Sequence, residues 1–208
     1  MINNKGFTLI ELLIVVAIIA ILAAIAIPNF LAAQVRAKVS RTKAEMRTLA
    51  TALESYYVDN NQYVPSYRGG TFYSVNSKRI EPLSTPISYI SSIPKPDPFG
   101  NPQFDPIDYD TYDYIDEDSF ITLRGSPTAA LTQWGGATWG RAWRICGSGP
   151  DRIESYAYNI LNANYPSPGW PAYYDPSNGT VSNGDIVRFG STGKLGYGAS
   201  IVGPIQDN

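Results

Sequence analysis

The hydrophobic pattern divides the chain into three stretches. From Leu12 to Ile27 sixteen consecutive residues are apolar, and carrying the run back to Phe7 gives twenty-one positions broken only by Thr8 and Glu11. At about 1.5 Å per residue such a helix spans roughly 30 Å, the thickness of a bilayer's hydrocarbon core. The pattern predicts one membrane span. An ordinary secretory signal ends in a small-residue cleavage site on the far side of a short apolar region. Here the run goes straight on into Pro28-Asn29-Phe30 and a polar helix. In that second stretch Val39, Met46, Leu49, Leu53 and Tyr56 or Tyr57 recur at steps of three, four and seven residues between charged or small positions. That is the stripe of an amphipathic helix, expected to pack onto the protein's own sheet. Continuous from Phe7 to about Asp59, the helix would be roughly 80 Å long, with Pro28 expected to kink it or melt the turn before it.

The third stretch is different in kind. Beyond Asn60 lie 15 of the 16 prolines and 17 of the 18 glycines, so long helices end there. Ser119 to Leu123, Arg141 to Cys146 and Asp185 to Phe189 alternate or cluster β-branched and aromatic residues between turn signals, the pattern of short antiparallel strands. The fold class expected is α+β: a long N-terminal helix, half transmembrane and half amphipathic, packed on a small antiparallel sheet with long loops. The acidic, tyrosine-rich run from Asp105 to Asp118 shows no basic or nucleophilic companion nearby and reads as solvated loop surface, not as a catalytic pair.

Composition narrows the chemistry. With 16 Lys and Arg against 18 Asp and Glu the net charge is −2, and no nucleic-acid partner is expected. The chain has no His, which excludes histidine-dependent hydrolysis and Cys/His zinc sites, and its single thiol, Cys146, cannot form an intramolecular disulfide. Cys146 is expected to be a small buried apolar side chain.

Glu11 is the anomaly, a carboxyl group four residues into the apolar run, where a charge needs a partner. Read together, Lys5-Gly6-Phe7-Thr8-Leu9-Ile10-Glu11-Leu12, the apolar run and Pro28 resemble the processing site of type IV prepilins and type II secretion pseudopilins. The resemblance covers about sixty residues. It implies a leader at residues 1–6, cleavage between Gly6 and Phe7 by a cytoplasm-facing prepilin peptidase, and N-methylation of Phe7. It further implies that Glu11 takes part in assembly by pairing with the new amino terminus at Phe7, within one chain or between neighbours. The chemistry suits those roles: Gly6 has no side chain to obstruct a peptidase, and a free amine supplies a cation for a carboxylate in hydrocarbon. Charge points the other way. Arg36, Lys38, Arg41, Lys43 and Arg47 follow the span with only Glu45 among them, while Lys5 alone precedes it, so the positive-inside tendency opposes the topology that the family implies.

Pro96-Asp97-Pro98-Phe99-Gly100-Asn101-Pro102 resembles a segment of the G-type major pseudopilin of type II secretion. Gly147-Ser148-Gly149-Pro150-Asp151 is similar to the turn that opens that family's calcium loop, although here a long insertion precedes Tyr174-Asp175-Pro176-Ser177-Asn178. The resemblance implies a Ca2+ site with Asp151, Asp175, Asn178 and Asp185 as candidate ligands beside Ser148 and backbone carbonyls. Calcium takes six to eight oxygens, and turn-forming residues alone give the same pattern.

The implied organisation is a leader at 1–6, a transmembrane and polymerisation helix at 7–28, an amphipathic stalk helix at 29–60 and a periplasmic α+β head at 61–208. The implied function is that of a non-enzymatic, major-pseudopilin-like subunit, single-pass in a bacterial inner membrane. Its implied partners are like subunits in a homopolymer, prepilin peptidase, minor pseudopilins and the inner-membrane secretion platform. Two alternatives stand beside it: a type IV pilus subunit serving adhesion, motility or DNA uptake, and a membrane-anchored ligand-binding module using the abundant aromatics.

Overall fold

A computed structural model describes residues 7–68, 71–100, 109–116, 118–119, 143–153, 174–175, 182 and 184–190. The chain divides into two compact units, Met1–Ala37 and Lys38–Asn208.

Helix α1 (Leu9–Asn60) runs through both. In the first unit its large apolar side chains, from Leu9 to Leu31, are exposed, and no residue of its most apolar 18-residue stretch is buried. The helix passes unbroken through Pro28, so the expected melting of the preceding turn does not occur. Pro28 has no N–H to give its i−4 carbonyl, and next to this defect the Asn29 side-chain amide donates to the Ile25 carbonyl at 3.0 Å.

In the second unit α1 becomes one-sided. Val39, Thr42, Met46, Leu49, Ala50, Ala52 and Leu53 are buried, which is the predicted stripe widened by small residues that let the sheet approach. Full burial of a side chain such as Leu49 or Leu53 contributes about 1.5–3 kcal/mol. A short hairpin follows, β1 (Tyr67–Arg68) against β2 (Thr71–Phe72), then α2 (Asn76–Ile80) and one 3-10 turn, Glu81–Leu83. The main sheet is antiparallel in the order β3 (Asp113–Asp116), β4 (Trp143–Gly147), β5 (Ile186–Gly190). Two predicted strands are therefore present: β4 covers the described part of the first and runs one residue further, and β5 stands one residue beyond the second. The third differs: Asp118 and Ser119 are helical and residues 120–123 lie outside the described residues.

Strand β3 corrects the reading of the acidic run as solvated loop. All four of its residues are buried, and its carboxylates meet partners distant in sequence. Asp113 lies between the guanidiniums of Arg79 on α2 and Arg144 on β4, and these three side chains are 5%, 6% and 3% exposed for Asp113, Arg79 and Arg144. Burial alone would raise the Asp113 carboxyl; the two guanidiniums override it and hold it below the usual carboxylate range. Asp116 accepts from Ser66 N–H and Oγ, both at 2.7 Å, and from Ser119 N–H at 2.9 Å. Asp110, just upstream, accepts from Ser77 N–H and Oγ and pairs with Lys95 at 2.6 Å.

The sheet meets α1 through polar tips on apolar bodies. Trp143 Nε1 donates to Glu54 at 3.0 Å, as does the Tyr63 hydroxyl at 2.9 Å, and the Tyr112 hydroxyl donates to Glu45. Burial, reinforced by Glu45, pushes the Tyr112 hydroxyl far above its ordinary value, so it stays a donor. Gly190 faces Trp143 across the β4–β5 ladder, and a Cβ there would lie 1.9 Å from the indole. Gly190→Ala is expected to cost about 1–3 kcal/mol, visible as a lower melting temperature of the full chain in detergent.

Candidate functional site

Two places carry the residues singled out by the sequence: the start of α1, and a group of loops at one end of the sheet.

At the start of α1, Thr8 and Glu11 close a reciprocal cap. Thr8 N–H and Oγ1 donate to Glu11 Oε2 at 2.9 and 2.6 Å, and Glu11 N–H donates back to Thr8 Oγ1 at 3.3 Å. This is a capping box: the threonine precedes the helix, the glutamate is its third residue, and each satisfies an N–H that the helix cannot. The Thr-x-x-Glu spacing at residues 8–11 is a known signature of this motif, so Thr8 was recoverable from sequence as Glu11's first partner. Phe7 is 71% exposed, and Gly6 lies outside the described residues.

The loop group joins the two motifs of the third stretch. Asp97 is 8% exposed, and its carboxylate accepts from Phe99 N–H at 3.0 Å and from Ser148 N–H at 2.8 Å. Arg152 Nε donates to the Phe99 carbonyl at 3.1 Å, which ties the same two turns together a second time. Burial raises the Asp97 carboxyl, and the backbone N–H donors offset part of that. Gly100 sits at φ +59°, the left-handed conformation that its turn requires, with its N–H on the Asp97 carbonyl at 3.1 Å. Neither tie was visible in sequence, because Asp97 and Ser148 are 51 residues apart.

Of the four predicted calcium ligands, three fall on described residues, and their backbone neighbourhoods meet. The Gly184 carbonyl comes within 1.8 Å of where a Cβ on Gly149 would stand, so only glycine fits beside Asp151. Tyr174 N–H donates to the Asp185 carbonyl at 2.9 Å, which brings Asp175 alongside. The side chains have other engagements. Asp151 Oδ1 accepts from Ile153 N–H at 3.2 Å, and buried Asp185 has its Oδ2 3.6 Å from Cys146 Sγ. Asp175 is exposed, and Asn178 lies outside the described residues. Among the described residues no three acidic, Cys or His side chains converge, so these alone fall short of a calcium shell. Cys146 is fully buried on β4, as its small apolar character implied.

Comparison with known proteins follows the same division. Residues 1–27 match the model of the prokaryotic N-terminal methylation motif, and residues 29–113 that of type II secretion system protein G. The type IV major pilin protein of Myxococcus xanthus is 57% identical over 61 residues, which is 29% of this chain and 28% of the pilin. The chain thus spans less than a third of that relative's length. The type II secretion system core protein G of Pseudomonas aeruginosa is 37% identical over 103 residues, 48% of this chain and 71% of the relative. That of Aeromonas hydrophila is 34% identical over the same length and shares. No solved structure matches. Identity to the pilin is higher but covers 29% of the chain, whereas the core protein G matches cover 48% of the chain and 71% of those relatives, and on that coverage the chain belongs to the type II secretion core protein G family of pilin-like proteins.

Proposed function

We propose that the chain is a structural subunit of a type II secretion pseudopilus, assembled through its N-terminal helix and serving the export of folded proteins across the outer membrane. The observation that carries this is the first half of α1, a helix none of whose apolar 18-residue stretch is buried by its own fold. Such a surface requires a bilayer or other copies of itself. In this reading residues 1–6 are removed after Gly6 by a prepilin peptidase, and Phe7 becomes the methylated terminus. Residues 7–28 span the inner membrane and later polymerise, residues 29–60 form the stalk, and residues 61–208 form a head on the periplasmic side. Its partners are like subunits, minor pseudopilins and the inner-membrane platform. Its family is structural, and the reading assigns the chain no catalysis.

A deletion strain tests the proposal. Loss of several proteins from the culture supernatant with surface fibres unaffected supports the pseudopilus; loss of fibres with an unchanged supernatant makes the chain a type IV pilus subunit. Processing separates both from a membrane-anchored binding module. After co-expression with a prepilin peptidase, intact mass should show loss of residues 1–6 and gain of one methyl group; a chain that keeps its leader is such a module.

The same reading keeps the calcium expectation as a proposal: the ion would take Asp151, Asp175 and Asp185, with Asn178, outside the described residues, as the fourth candidate. A ligand that binds only the folded state raises stability by linkage. At a calcium concentration one hundred times the dissociation constant, chelation is expected to remove about 2.7 kcal/mol. A melting temperature unchanged by chelator removes calcium from the account.

A further inference from the structure

We propose that Glu54 joins Trp143 and Tyr63 into a radical-exit relay, which moves an oxidising equivalent off a buried indole and onto a half-buried phenol that small reductants can reach. The carboxylate offers one oxygen to each ring. Trp143 Nε1 donates to Oε1 at 3.0 Å, and the Tyr63 hydroxyl donates to Oε2 at 2.9 Å. Glu54 itself is exposed on α1 and Tyr63 is half-buried. Trp143 is 2% exposed, stands opposite Asp116 of β3 and Gly190 of β5, and leaves no room for a Cβ at Gly190. Adding oxygen to that indole would therefore break the packing between β4 and β5. Burial does not spare the ring, because an electron can leave it by tunnelling without contact with the oxidant.

The two hydrogen bonds set the proton balance. A one-electron oxidant of the carbonate-radical class takes an electron from Trp143, and the acidified indole N–H passes its proton to Oε1, leaving a neutral indolyl radical. At neutral pH such a radical is a stronger oxidant than a phenoxyl radical. One electron then moves from Tyr63 to Trp143, the phenol proton moves to Oε2, and the proton on Oε1 returns to Nε1. Trp143 is restored, Tyr63 is a phenoxyl radical, and the proton left on Oε2 goes to the solvent that Glu54 faces. A thiol-class reductant in solution returns a hydrogen atom to the phenoxyl oxygen. Both proton transfers lie within hydrogen-bond reach. Burial first, then the bond to Glu54, raises the Tyr63 hydroxyl above its ordinary value, so the phenol keeps its proton until an electron leaves. Neighbouring tyrosines are placed differently. The Tyr114 hydroxyl donates to the Val64 carbonyl at 2.7 Å, too weak a base to take its proton. Tyr112 donates to Glu45, nine residues and about 13 Å along α1 from Glu54.

Pulse radiolysis with carbonate radicals tests the relay in the full chain in detergent, carrying Trp134→Phe, Trp139→Phe and Trp170→Phe so that Trp143 is the sole indole. Indolyl absorbance should decay, and phenoxyl absorbance rise, in one first-order phase whose rate does not change with protein concentration. Tyr63→Phe should abolish that phase, Glu54→Gln should slow it about a hundredfold, and Tyr112→Phe should leave it unaltered. In the chain with all four indoles, peptide mass spectrometry after steady carbonate-radical exposure should find Trp143 oxidised several-fold more often in Tyr63→Phe than in the parent. Absence of a first-order phase, a phase that survives Tyr63→Phe, an unchanged rate in Glu54→Gln, or equal oxidation of Trp143 with and without the Tyr63 hydroxyl would each overturn the proposal.

Discussion

A Glu11→Ala subunit should enter the membrane as well as the parent does and assemble fibres at a yield reduced roughly tenfold or more. Insertion is driven by the apolar run, which the substitution lengthens. In the proposed assembly the start of α1 would lie against other copies, where a carboxylate needs more than the two hydrogen bonds that Thr8 gives to Oε2. Oε1 makes no hydrogen bond among the described residues, which suits it to the amine that cleavage would release at Phe7. Two further variants separate charge from cap. Glu11→Gln keeps a capping-box side chain and loses the charge, so it should fail as Glu11→Ala does. Thr8→Val keeps the charge and loses the cap. Membrane fractionation and fibre counts by electron microscopy read both steps; normal fibres from Glu11→Gln would sink the charge-pairing account.

The largest effect on stability is expected from Asp113→Ala. The substitution leaves the buried guanidiniums of Arg79 and Arg144 facing each other without their shared carboxylate. Removing one member of such a group costs about 3–5 kcal/mol, against a total stability of about 5–15 kcal/mol for a domain. The sign of the pH dependence is set by the lowered Asp113 carboxyl. Its contribution is present above the unfolded value, near 4, and is lost as pH falls through the lower folded value. The gap between parent and variant in urea midpoint should therefore be wide at neutral pH and narrow in strong acid. A gap that stayed constant would mean that Asp113 acts by packing and not by charge.

Strand β3 also shows where sequence reading stops. Helix α1 was legible because its two signals are local: an unbroken apolar run, then a stripe at helical spacing from Val39 to Leu53. Strands β4 and β5 were legible because Trp143-Arg144-Ile145-Cys146 and Ile186-Val187 carry strand formers between turns. Asp113-Tyr114-Ile115-Asp116 is also a strand, but its two aspartates look like surface until their partners are known. Those partners are 34 residues away for Arg79, 31 for Arg144 and 50 for Ser66. No window of sequence contains them. The same distance hid the Asp97 to Ser148 tie, while the Thr8 to Glu11 cap was short-range and readable from its spacing. Glu11 stood out on its own, because a lone carboxyl in an apolar run contradicts everything around it.

The burial of Cys146 has a practical meaning for anyone who wants to follow the subunit in a cell. The chain's single thiol is fully covered on β4, so a thiol-reactive dye added to the folded protein should leave it unmodified. A cysteine in place of exposed Ile87 would then take the dye alone and report on the subunit without touching the strand register or the assembling helix.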